Sequence, residues 1–134
     1  MNRHFILSPC GTSFLTNFAG DHETKNLIYK YANAEDRENV PREDRVVLDR
    51  LIEELKPAVE QARYREAAIM SAELNSIIKF YRGILPESND FHLLICSDTW
   101  LGEVTAGLVS NWILHTCPDM TVVIHRQEGL QTRE

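Results

Sequence analysis

The chain has 134 residues, 43% hydrophobic and 25% charged, with a formal net charge of −6. That length suits one domain with a real core, and the composition is ordinary for a soluble globular protein. No run approaches the ~20 apolar residues of a membrane span, and the acidic balance leaves no long basic face for duplex nucleic acid.

Phe5-Ile6-Leu7 reads as a short strand. It leads into Ser8-Pro9-Cys10-Gly11-Thr12-Ser13, a loop with hydroxyls and a glycine. Helical periodicity follows from near Phe14 to about Tyr31, with a break expected near Gly20. Asn33 to Asp44, charged and closed by Pro41, reads as a surface connection. A helical hairpin is expected over about 43–83. Its first arm carries Val47, Leu48, Leu51, Ile52, Leu55 and Val59 at helical spacing, a stripe expected to be buried, and Pro57 is expected to end or kink it. Its second arm runs from about Tyr64, with Ala67, Met70, Leu74, Ile77, Ile78 and Tyr81 on one stripe, to a stop at Gly83.

Ile84 to Asp90 reads as a turn-rich link, and His92 to Cys96 as the second strand. Ser97-Asp98-Thr99-Trp100-Leu101-Gly102-Glu103 then repeats the loop theme and opens a helix from Leu101 to about His115. Cys117-Pro118-Asp119 breaks that helix, and Met120 to His125 is the third strand. Three strands make a thin sheet for a doubly wound domain. Further chain or a partner copy is expected to complete it, and the long hairpin offers a dimer contact.

Strand–loop–helix thus occurs twice. If the strands are parallel, both loops meet at the carboxyl edge of one sheet, where open α/β sheets bind ligands. Helix starts there offer free backbone N–H groups to an anion. Neither loop contains Lys or Arg, so an anion would be held by N–H groups and hydroxyls, with cations from elsewhere. A small phosphorylated ligand fits that design. Cys10 at a helix start invites a nucleophile reading, but a small residue beside the ligand is the favoured one. The three cysteines form no Cys-x-x-Cys pair and the five histidines show no metal spacing. Reduced thiols, no metal, no cofactor and a cytoplasmic location are expected. Membrane contact is expected only through a segment outside this sequence.

The first loop with Phe14-Leu15-Thr16-Asn17 resembles the opening of the CRISPR-associated Rossmann-fold (CARF) proteins. The resemblance continues through Ser71-Ala72-Glu73-Leu74-Asn75, Ser97 to Glu103 and the tail Gly129-Leu130-Gln131-Thr132-Arg133. It covers nearly the whole chain in order. It implies a single α/β domain over 1–134, a Rossmann-like parallel sheet with an inserted helical hairpin. It further implies a homodimer that binds cyclic oligoadenylate, commonly cyclic tetra-adenylate, across its twofold axis and signals to a fused or associated effector.

On this resemblance Pro9, Cys10, Gly11, Thr12 and Ser13 would hold the ligand from the first loop. Ser97, Asp98, Thr99, Trp100, Leu101 and Gly102 would hold it from the second, with Thr132 and Arg133 closing over it. Asp98 is expected to cap its helix or orient the loop. Trp100 stacks on an adenine or packs between subunits. Some CARF proteins cut the ring, so a metal-independent ring nuclease with Ser13 as first candidate contact is the alternative; no catalytic residue is assigned. The Thr-Gly-Gly-Phe-Lys-like motif of fuller members is missing here, which weighs against cleavage. A flavodoxin-like mononucleotide or flavin binder and a purely helical dimerisation module whose loops are structural stay open on the residues alone.

Overall fold

The computed structural model describes residues 4–81 and 90–128. Three parallel strands, β1 (Phe5–Cys10), β2 (Phe91–Ser97) and β3 (Thr121–Gln127), form a sheet in the order β1-β2-β3. This is the expected α/β, Rossmann-like arrangement. The register sets Phe5 beside Phe91 and Phe91 beside Thr121; it ends with Cys10 beside Cys96 on one side of β2 and with Ser97 beside Gln127 on the other. All three carboxyl ends therefore share one edge.

β1 runs further than its apolar triplet. Ser8, Pro9 and Cys10 pair with Leu94, Ile95 and Cys96, so the first loop shrinks to Gly11 and Thr12. Proline lacks a donor for the ladder, and an edge strand is where a sheet tolerates it. Next come α1 (Ser13–Ala19) and α2 (His22–Lys30), separated as expected at Gly20, whose φ of 80° suits glycine. Asp21 caps α2 by accepting the Thr24 N–H at 2.8 Å.

The hairpin differs from expectation in both arms. Its first arm, α3 (Arg42–Gln61), does not end at Pro57 but continues past it, and Val47 of the expected stripe is 40% exposed. Glu53 and Pro57 both lie on the exposed side, so the Glu53 carbonyl that loses its partner has water. Leu55 and Val59, both fully buried, hold the helix on the other side. The second arm is two helices, α4 (Tyr64–Met70) and α5 (Ala72–Phe80). Ser71 between them is extended (φ −154°, ψ 151°) and its side chain caps α5 by accepting the Leu74 N–H at 3.0 Å. Gly83 and residues 84–89 of the link lie outside the described residues.

α6 (Trp100–Thr116) lies on β2 and β3 and against α3. Its Leu101, Val109, Trp112 and Ile113 are buried with Leu94 and Cys96 of β2 and Leu48 and Leu55 of α3. Trp112 also donates its indole N–H to the Ala62 carbonyl at 3.1 Å, tying α6 to the end of α3. Helices thus cover one side of the sheet. Across the other, Phe5, Leu7 and Val123 are 65%, 54% and 42% exposed, although parallel sheets are ordinarily covered on both faces.

The amino edge of the sheet holds a buried polar network. Asp90 accepts from the His4 N–H at 2.8 Å and from the Tyr81 hydroxyl at 2.9 Å. The Tyr81 oxygen also lies 2.9 Å from His92 Nε2. Tyrosine has one proton to give. Given to Asp90, it leaves the oxygen to accept from His92 Nε2–H, and Nδ1 becomes the bare nitrogen. Nδ1 is buried with no hydrogen-bond partner among the described residues. Burial lowers the His92 pKa, against the pull of Asp90. Burial opposes ionisation of Asp90, but the donors from His4 and Tyr81 hold its pKa below the usual carboxylate value.

Candidate functional site

The candidate site is the opposite, carboxyl edge. Gly11 and Thr12 connect β1 to α1, and their donors point to a residue far away in sequence. Glu73, in the first turn of α5, accepts the Gly11 N–H through Oε1 at 3.0 Å and the Ser13 hydroxyl through Oε2 at 3.3 Å. Thr12 is buried and makes no side-chain cap for α1. An open cleft of about 410 Å³ runs beside this contact, lined by Leu7, Ser8, Pro9, Ala72, Glu73 and Ser76.

Gly11 takes no unusual backbone conformation, and a Cβ added to it would meet only Glu73 Oε1, at 3.9 Å. Its value here is open space, not a special dihedral. Cys10 is buried at the end of β1 and its thiol donates to the Ser8 carbonyl at 3.7 Å. Burial, then the Glu73 charge and Cys96, push the thiol up to about 12. It is protonated at neutral pH, which removes the nucleophile reading.

The second loop is built differently. Thr99, 3% exposed, caps α6 by accepting the Gly102 N–H at 3.1 Å, and its oxygen lies 2.7 Å from Ser97 Oγ. The Trp100 N–H donates to the Ala34 carbonyl at 3.0 Å. Gly102 is pressed so close that a Cβ would lie 2.5 Å from Ser97 Oγ and 2.7 Å from Thr99 Oγ1. Thr99, not Asp98, is therefore the cap. Asp98 pairs instead with Arg126 at 2.7 Å, and Arg126 reaches Glu103 at 3.0 Å.

The expected residues thus divide. Pro9, Gly11, Ser13, Asp98 and Trp100 keep exposed or half-exposed surface. Cys10, Thr12, Ser97, Thr99, Leu101 and Gly102 are buried and shape the two loops from beneath. Trp100 turns toward a groove of about 310 Å³ between α3 and α6, shared with Ile52, Val104 and Leu108. Thr132 and Arg133 lie outside the described residues.

Two site residues were not singled out from the sequence. Arg126, opposite Cys96 near the end of β3, is a cation at this edge and is paired with Asp98 and Glu103. Glu73 carries no signal in the sequence, since an acidic residue two after a capping serine is ordinary helix chemistry.

The family described as CRISPR-associated protein (Cas_APE2256) matches residues 68–134, half of the chain. The chain belongs to this CRISPR-associated family. The matched half contains Glu73, the whole second loop and Arg126, while the first loop precedes it. Membership gives the protein a role in CRISPR defence. No curated protein matches the chain. Among the described residues no helix is long and apolar enough to cross a membrane, and no group of three or more His, Cys, Asp or Glu is gathered to hold a metal ion.

Proposed function

We propose that this member of the Cas_APE2256 family is a CARF-type sensor domain that binds cyclic tetra-adenylate across a homodimer and signals to a fused or associated effector. The observation that carries the reading is that donors of the first loop already hold an oxyanion. The Gly11 N–H and the Ser13 hydroxyl grip the two oxygens of a carboxylate, and a phosphodiester presents two such oxygens. The second loop ends on the same edge, where Arg126 offsets the charges of Asp98 and Glu103.

A ring of four equivalent nucleotides suits two identical subunits about a twofold axis, each meeting half of it. In this reading Pro9, Gly11, Ser13, Asp98 and Trp100 meet the ligand. Cys10, Thr12, Ser97, Thr99, Leu101 and Gly102 hold the loops in shape. Calorimetry across cyclic tri-, tetra- and hexa-adenylate, with linear forms as controls, tests the reading. One ring per two chains with preference for the tetramer is expected. No binding, or one ring per chain, overturns it. Chromatography of the same mixtures detects linear products, which would make the protein a ring nuclease instead.

A further inference from the structure

We infer that Glu73 is an internal stand-in for the ligand's phosphate, a latch that must leave the first loop before an anion can enter. The inference rests on the reading of this edge as a phosphate-binding site and adds how that site is kept closed.

The contact joins positions 62 and 60 residues apart, so it is tertiary and not part of a local turn. Both carboxylate oxygens are used, and they take the donors that the sequence offers to an anion. No cation pairs with Glu73 among the described residues; its hydrogen-bond partners there are the Gly11 N–H and the Ser13 hydroxyl. A phosphate entering beside the carboxylate would set like charges in contact, which is unfavourable at short range. A phosphate replacing it restores the same bonds with the same sign of charge.

Room to leave is present. Glu73 is half-buried, and the cleft between β1 and α5 that it lines, with Ser8, Pro9, Ala72 and Ser76, is open on that side. The first turn of α5 is fixed by the Ser71 cap, so the side chain can rotate away without moving the helix. Release would cost the loop two hydrogen bonds that the ligand then remakes. Binding is thereby reduced by the latched fraction of the protein.

Glu73→Gln keeps the shape and removes the charge; Glu73→Ala removes the occupant. Calorimetry with cyclic tetra-adenylate should give roughly tenfold tighter binding in both variants than in the native chain, the size expected when one charged hydrogen-bonded competitor is lost. Equal binding overturns the latch, and weaker binding overturns it and makes Glu73 a ligand contact. A second measurement is independent of the ring: the Gly11 amide resonance followed during titration with inorganic phosphate. It should move in Glu73→Ala and stay still in the native chain. If the ring binds no form while this amide behaves so, the latch stands and the ring reading falls. An amide that responds alike in both forms overturns the latch.

Discussion

The two loops occupy equivalent places at one sheet edge but are held by different means. The second is closed on itself: Ser97, Thr99 and Gly102 satisfy and pack against one another within six residues, and all three are buried. The first is closed by a single charged side chain from another helix, and its glycine faces open space. A self-satisfied loop is a rigid frame. A loop whose donors are lent to a distant carboxylate is one whose partner can be exchanged. The pair therefore reads as a fixed jaw and a gated jaw.

The strongest way to break that contrast is Gly102→Ala. The added carbon would overlap Ser97 Oγ and Thr99 Oγ1, so the cap and the loop cannot both survive. A loss of about 2–3 kcal/mol is expected, read from denaturant midpoints. A loss under ~0.5 kcal/mol would mean the second loop is as yielding as the first. Thr99→Val follows, with ~1–2 kcal/mol, because it keeps the shape and removes the oxygen that accepts the Gly102 N–H. The same measurement checks it.

The amino edge supplies a control far from both loops. The His92 and Asp90 pKa values are both lowered in the folded protein, so the unfolded chain binds protons first. Their stabilisation is present above the unfolded values and is lost as pH falls through the folded ones. Denaturant midpoints should decline below about pH 6.5, where an unfolded histidine charges, and again below about 3.9 for the aspartate. A flat profile across both ranges would remove this network from the fold's support. The smallest effect is expected from Gly11→Ala, within ~0.5 kcal/mol of the native stability, since its new methyl meets only the end of a flexible side chain at 3.9 Å. Destabilisation as large as that of Gly102→Ala would erase the distinction between the jaws.

Much of the scaffold was legible because its signals are local and consistent. The apolar run of β2, the helix opened by the second loop and the break at Gly20 all appear where the residue pattern puts them. The misses share one cause. Ala67, Met70, Leu74 and Ile77 keep helical phase across Ser71, so two helices look like one until tertiary packing turns the chain there. Pro57 looks like a stop, yet the burial of Leu55 and Val59 outweighs one lost hydrogen bond on the wet side. Ser8-Pro9-Cys10 carries turn chemistry, but pairing with β2 extends the strand. At the site, the two loops were legible as places. That Thr99 and not Asp98 is the cap, and that Glu73 is absent from the expected set, both reflect contacts that spacing cannot show.

The extended residue Ser71 has a consequence for how this region can change over time. It fixes where α5 begins, and therefore which residue of the first turn meets the Gly11 amide. Substitutions at exposed Ala72 or Ser76 leave that phase untouched. A single inserted or deleted residue between the cap and Glu73 rotates the carboxylate by about 100° around the helix axis and carries it away from the loop. The segment from Ser71 to Glu73 should thus accept new side chains more readily than a new length.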